Sequence, residues 1–322
     1  MKMTAVGPNK EQQPVFIQGL MRTEHLSVEE LTSLLEGVLD YDITFLDTSD
    51  IYTDGYCESL LGKAFAANGE LRNKFTLQSK CGIRRSPKGF TFYDFSTDYI
   101  LQAAEASLTR LQTDHLDYYL LHRPDALFEP EEVAAAFDKL QQSGKVLRFG
   151  VSNMNTAQLS YLRQYVRQPI EVNQLQISVA HTLLIDSAIM TNRFETNSLD
   201  HNQGILDYCR SIDCTVQAWS PFRAAKAEGS TESVADRIQT WPYLGDSQFP
   251  ALNAKLEEFS ERFGVSPGAV TIAWLLRHPA NMQIVLGSTK LERIRDALDG
   301  MSVSLSREDW YELYIAGGNI VP

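Results

Sequence analysis

The chain has 322 residues, 43% of them hydrophobic and 22% charged, which is ample for a packed core and excludes disorder as its basic character. Its formal net charge of -12 sets a repulsive field against nucleic acid and anionic lipid. No run approaches the roughly 18 apolar residues of a membrane span, and four cysteines without metal or scaffold spacing predict reduced thiols in a cytoplasmic protein.

The N-terminal stretch MKMTAVGPNKEQQP lacks an apolar leader region, so it reads as a short extension without processing. Beyond it, eight short β-branched or aromatic runs recur: VFIQGL, ITFLDT, KFTLQSK, LDYYLLH, RFGVSN, VNQLQIS, TVQAWS and QIVLGS. Most are followed by a helical pattern. Alternating buried strand and amphipathic helix is the sequence form of repeated βαβ units, and eight can close a TIM (β/α)8 barrel. The runs are almost continuously apolar, as suits parallel strands covered on both faces.

Three helices are legible in detail. After Ser96 or Thr97 as N-cap, Ile100, Leu101, Ala104, Leu108 and Leu111 recur at helical spacing. A second begins near Pro130, buries Val133, Phe137 and Leu140, and stops at Gly144. A third follows Asn155 with Leu159, Leu162 and Val166 on one side. No linker divides the chain, so residues 1–322 read as a single domain. The connections 178–203 and 223–250 are long for simple βα loops, and would overhang the C-terminal rim; the second carries Trp241, Pro242 and Tyr243. Phe90, Phe92, Tyr93 and Phe95 either line the substrate mouth or pack their loop onto the barrel.

Four polar groups end or closely follow strand-like runs: Asp47, Tyr52, Lys80 and His122. Taken singly, Asp47 reads as a cap or turn residue, Tyr52 as a rim aromatic, Lys80 as a solvated charge and His122 as a structural imidazole. In a closed parallel barrel, however, all strands end on one rim. A carboxylate, a phenol, an ammonium and an imidazole gathered there suit acid catalysis at a carbonyl. His115, His181 and His201 show no ligand-like spacing, which predicts no metal.

The segments FLDTSDIY with ESLLGKA, LQSK, DYYLLHRPD, GVSN, EVNQLQIS, AWSPF and GSTKLERI occur in an order that resembles the aldo-keto reductases, and they cover most of the chain. The resemblance implies an NADP(H)-dependent carbonyl reductase with Tyr52 as general acid, Lys80 and Asp47 tuning it, and His122 orienting the carbonyl. An ammonium beside the phenol is expected to lower its pKa from about 10. It implies nicotinamide contacts from Ser152, Asn153 and Gln174, and stacking on Trp219, where many members have tyrosine. Ser220 and Phe222 would cover the pyrophosphate. Gly287 would be a further cofactor contact, and Ser288, Lys290 and Arg293 match or neighbour the positions that grip the adenosine 2′-phosphate, favouring NADPH over NADH. Asp296 stands where many members carry glutamate, and Ala297 where many carry an asparagine for the adenine edge. The expected partner is a small-molecule carbonyl compound, with no nucleic acid and no membrane; oligomeric state is open. Two other readings remain: a cofactor-binding regulatory subunit on the same barrel, and a Schiff-base lyase with Lys80 as nucleophile.

Overall fold

The computed structural model describes residues 1–192, 202–222 and 248–322. Eight strands close a parallel barrel in the order of the eight apolar runs: β3 (Phe16–Gly19), β4 (Phe45–Asp47), β5 (Thr76–Cys81), β8 (Leu116–Leu121), β9 (Val146–Ser152), β10 (Ile170–Gln176), β11 (Thr215–Trp219) and β12 (Gln283–Leu286). With helices between the strands, this is a TIM (β/α)8 barrel.

The strands alternate between two cores, as a side-chain period of two requires. Leu46, Leu77, Tyr119, Leu121 and Val151 point outward into the large core shared with the helices. Ile17, Phe45, Tyr118, Leu120, Val172 and Val285 point inward and form a separate cluster within the barrel. That inner cluster includes Val6, from a hairpin of β1 (Met3–Val6) and β2 (Glu11–Pro14). The N-terminal extension is therefore not a loose tail: its apolar residues close the barrel end opposite the strand C-termini.

Helix α3 (Thr97–Leu111) is capped by the Ser96 hydroxyl, and α4 (Pro130–Gln142) starts on Pro130 and gives way to Gly144 at φ +73°. Helix α5 is shorter than its apolar pattern suggests. It spans Thr156–Leu162, with its Asn155 cap and Gln158 closing a capping box, and Val166 packs from the turn beyond it.

Of the connection 178–203, the described part contains helix α6 (Leu183–Ile189), so it carries structure of its own. Tyr314 and Asn319 anchor α6 and its approach, through hydrogen bonds to Asp186 at 2.6 Å and from Thr182 at 2.9 Å. Trp241, Pro242, Tyr243 and His201 lie outside the described residues. The loop after β5 folds into a hairpin of β6 (Ile83–Arg85) and β7 (Thr91–Tyr93), on which Phe90 is 56% exposed while Phe95 is buried in the outer core. Among the described residues, no helix is long and apolar enough to cross a membrane.

Candidate active site

Parity along the strands places the polar tetrad. Asp47 follows inward-facing Phe45 by two residues, Lys80 follows Gln78 by two, and His122 continues the inward series Tyr118, Leu120. Asp47 and Lys80 occupy the last inward positions of β4 and β5, and His122 the next inward position just past the end of neighbouring β8. Tyr52 reaches them from a 3-10 turn, Tyr52–Gly55, in which Thr53 and Asp54 take left-handed backbone angles at φ 48° and 53°. Such angles cost about 1–3 kcal/mol for ordinary residues and concentrate at functional sites. Gly55 continues the turn at φ +85°, where a Cβ would also meet Arg110 Nε at 2.8 Å. Helix α2 (Tyr56–Ala67) starts directly after it, seated against α3 by Gly62, whose Cβ would lie 2.1 Å from the Arg110 carbonyl oxygen.

The Lys80 ammonium is fully buried and its three protons are all engaged. It donates to the Asp47 carboxylate at 2.8 Å, to the Thr48 carbonyl at 2.8 Å and to Tyr52 Oη at 3.1 Å. The Tyr52 and His122 rings meet edge to face with centroids 5.7 Å apart. Burial alone would push the Lys80 pKa down, but Asp47 and Tyr52 together leave it above its ordinary value. Burial raises the Tyr52 pKa by more than Lys80 lowers it, so the phenol sits above the usual tyrosine value. The expectation of a depressed phenol is thus corrected: desolvation disfavours the tyrosinate more strongly than one shared ammonium favours it. His122 is held well below the ordinary histidine value, first by burial and then by Lys80 and Arg123, and is neutral at physiological pH.

Sequence reasoning missed two supports. The Ser49 hydroxyl lies 2.9 Å from His122 Nδ1. Beneath the tetrad, Gln78 and Gln174 donate to Asp47 Oδ1 at 2.6 and 3.0 Å. Gln217 bonds both of these glutamines and donates to Gln283 at 3.1 Å, and Gln283 donates to the Pro14 carbonyl at 2.9 Å. A chain of amides thereby runs from the Asp47 carboxylate to the N-terminal hairpin. Its signal was visible: a glutamine interrupts the apolar pattern within each of LQSK, VNQLQ, VQAW and QIVL.

The other site residues divide into groups. Ser152, Asn153 and Trp219 come together: Asn153 donates to Ser152 Oγ at 2.7 Å and to the His122 carbonyl at 3.2 Å, and accepts from Trp219 Nε1 at 3.3 Å. Asn153 and Ser220 both hold left-handed backbone, φ 60° and 50°, just past the ends of β9 and β11. Phe222 packs partly buried against the outer core. The Gln174 side chain is turned inward to Asp47, while its carbonyl joins the Asn153 group, accepting from Ser152 Oγ at 2.9 Å and from the Asn153 amide at 3.1 Å. Gly287 and Ser288 follow β12, and Lys290 and Arg293 lie at the start of helix α10 (Leu291–Leu298). Asp296 is turned away from this group, accepting from Ser266 at 2.6 Å, the N-cap of α9 (Pro267–Leu276). Beside Asn153 and Trp219 opens a cavity of about 350 Å³ whose lining includes Arg123, Gln176 and His181. That volume suits a small-molecule site.

Known proteins resemble this chain in sequence and fold. Residues 16–316 match the model of the aldo/keto reductase family. The uncharacterized oxidoreductase YcsN of Bacillus subtilis is 35% identical over 307 residues, covering 93% of each chain. The 6-dehydroglucose reductase of Agrobacterium fabrum is 36% identical over 285 residues, covering 87% of this chain and 85% of its own. Among solved structures, an aldo/keto reductase from Klebsiella pneumoniae in complex with NADP and acetate superimposes with a TM-score of 0.71 at 22% identity, over 97% of this chain and 94% of that one.

Proposed function

The chain belongs to the aldo/keto reductase family of oxidoreductases, and from that premise we propose that it is an NADPH-dependent carbonyl reductase, converting an aldehyde or ketone to the alcohol. The observation that carries this reading is the buried contact of Lys80 with both Asp47 and Tyr52, with the His122 ring against the same phenol.

The described residues fit a nicotinamide dinucleotide. Trp219 offers a partly exposed aromatic face, Ser152 and Asn153 stand beside it, and Arg22 Nε is a buried donor without a partner near Gly287. Lys290 and Arg293 supply cations for a 2′-phosphate, which supports NADPH over NADH. When bound, the reduced nicotinamide supplies a hydride to the carbonyl carbon.

The chain's own residues act at the carbonyl oxygen. His122 is neutral, with Ser49 Oγ 2.9 Å from Nδ1; we assign it the tautomer protonated at Nε2, which donates to that oxygen and orients it. Tyr52 delivers its proton as negative charge develops there. The phenol is fully protonated at neutral pH, and an alkoxide is the stronger base, so the transfer runs downhill despite the raised pKa. Lys80 stabilises the tyrosinate left behind, and Asp47, fixed by Gln78 and Gln174, keeps Lys80 charged and aimed. The polar lining contributed by Arg123, Asn153, Gln176 and His181 supports a hydroxylated carbonyl substrate, such as the 6-dehydroglucose named for the Agrobacterium relative.

NADPH absorbance, followed with a panel of aldehydes, ketones, quinones and sugars, tests the reading. Consumption with at least one carbonyl compound is expected. Tight NADPH binding without turnover of any would instead favour a cofactor-binding subunit.

A further inference from the structure

Thr48, Ser49, Asp50 and Ile51 join β4 to the turn that carries Tyr52, and this link is pinned to β5: the Thr48 amide donates to the Gln78 carbonyl at 2.9 Å and the Asp50 amide to the Lys80 carbonyl at 3.2 Å. Within it, the fully buried Ser49 hydroxyl stands between two groups, 2.9 Å from His122 Nδ1 and 3.3 Å from Asp50 Oδ1. A hydroxyl has one hydrogen, so it donates to one of them at a time and accepts from the other. The Lys80 carbonyl, also at 3.3 Å, already holds the Asp50 amide.

The two ends of the link are fixed differently. Tyr99 Oη, from α3, donates to Asp50 Oδ2 at 3.3 Å, and burial, with Asp50 and Cys81, holds that phenol far above its ordinary pKa, so it remains a donor. Oδ2 is thus kept as an acceptor, and a proton on the Asp50 carboxyl sits on Oδ1, facing Ser49. His122 stays neutral whichever nitrogen carries its hydrogen, because burial, Lys80 and Arg123 disfavour the imidazolium.

We propose that Asp50 selects the His122 tautomer through Ser49 and thereby makes carbonyl reduction pH-dependent, an assignment that rests on His122 orienting the carbonyl oxygen as above. With Asp50 protonated, Oδ1 donates to Ser49, Ser49 donates to Nδ1, and Nε2 keeps the hydrogen aimed at the substrate. When Asp50 ionises, the charged carboxylate becomes the stronger acceptor. Each hydrogen then moves one place: from Oδ1 to Ser49, from Ser49 to Nδ1, and from Nε2 to water. One proton leaves, the carboxylate alone gains charge, and Nε2 presents a lone pair to the carbonyl oxygen.

The groups around Asp50 set the window. Burial and Glu58 of α2 raise its carboxyl to about 7, against Ser49 and against Tyr99 and Arg110 of α3. Cys81 of β5 and Tyr119 of β8, which also feel its charge, are pushed well above their ordinary values and stay neutral. Arg84 of β6, paired with Asp94, lies 4.7 Å from the Tyr99 ring centroid. Lys80 and Tyr52 titrate above their ordinary values, so a step near 7 belongs to Asp50. Reduction is therefore supported below about 7 and lost above it.

Nitrogen NMR of His122 and single-turnover oxidation of NADPH, each followed from about pH 6 to about pH 8.5 in wild type, Asp50→Asn and Ser49→Ala, test this. In wild type the hydrogen is expected to move from Nε2 to Nδ1 across about pH 7, and the rate to fall roughly ten- to thirtyfold with the protonated fraction of Asp50. Asp50→Asn keeps a donor toward Ser49 and an acceptor toward Tyr99 at every pH, so it is expected to hold the Nε2 form and a nearly flat rate. Ser49→Ala cuts the link; it is expected to show no tautomer step either, and it carries the test should Asp50→Asn fail to fold. A wild-type tautomer that does not change, or one that changes equally in Asp50→Asn, would overturn the coupling. A tautomer step with a flat rate would overturn the role of His122 at the carbonyl oxygen. If wild type reduces no carbonyl compound, the functional reading fails, and the coupling stands or falls on the NMR alone.

Discussion

The Ser49 hydroxyl lies 2.9 Å from His122 Nδ1, closer than to the Lys80 carbonyl and the Asp50 carboxyl, both at 3.3 Å. A neutral imidazole that accepts at Nδ1 carries its proton on Nε2, the nitrogen left to meet a substrate oxygen. Ser49→Ala is expected to lower kcat roughly tenfold with NADPH affinity unchanged, and Ser49→Thr to retain most activity. Nitrogen NMR of His122 checks the cause: a tautomer shift in Ser49→Ala is expected, and identical spectra would remove Ser49 from this role.

Lys80 and Asp47 are a buried pair, and removing one partner leaves the other charged in a low-dielectric interior. Lys80→Met is expected to destabilise the fold by about 3–5 kcal/mol in urea unfolding. Adding Asp47→Asn should restore a large part, because Gln78 and Gln174 can still bond a neutral amide. Equal stability of the single and double variants would show that the pair is not energetically coupled.

Burial, with Glu58 nearby, raises the Asp50 carboxyl to about 7, against the opposing influence of Ser49, Tyr99 and Arg110. The native state therefore keeps a proton that the unfolded chain releases near its ordinary value of about 4. Stability falls from this source as pH rises from about 4 to about 7. Asp50→Asn should gain on wild type across that window, read as a Tm difference larger at about pH 8 than at about pH 4. A difference that is the same at both would contradict the assignment.

Lys290→Ala with Arg293→Ala should weaken NADPH far more than NADH, on a scale of about 1.5–3 kcal/mol for each charge-assisted hydrogen bond lost. Fluorescence titration with both cofactors reads this. Parallel losses would move these residues off the 2′-phosphate.

The barrel was legible because its eight strands are buried on both faces and so appear as apolar runs. The tetrad was legible because a parallel barrel sends every strand end to one rim. Two kinds of feature were harder to read. Helix α5 ends at Leu162 although Val166 extends its apolar spacing, because Val166 is buried by the turn that follows and periodicity does not register where a helix stops. The Tyr52 phenol lies above its ordinary pKa because desolvation depends on neighbours from β4, β5 and β8, which no local pattern encodes. The glutamine chain lies between these cases. Each glutamine was in plain view within a strand, but only closure of the barrel turns four separate interruptions into support for Asp47.

The mechanism turns on Tyr52 as the source of the proton at the carbonyl oxygen. Single-turnover oxidation of bound NADPH by an aldehyde that wild type reduces, compared between wild type and Tyr52→Phe, tests it most directly. The rate is expected to fall by about two to four orders of magnitude in Tyr52→Phe, with NADPH affinity retained. A variant that oxidises NADPH as fast as the parent would contradict it.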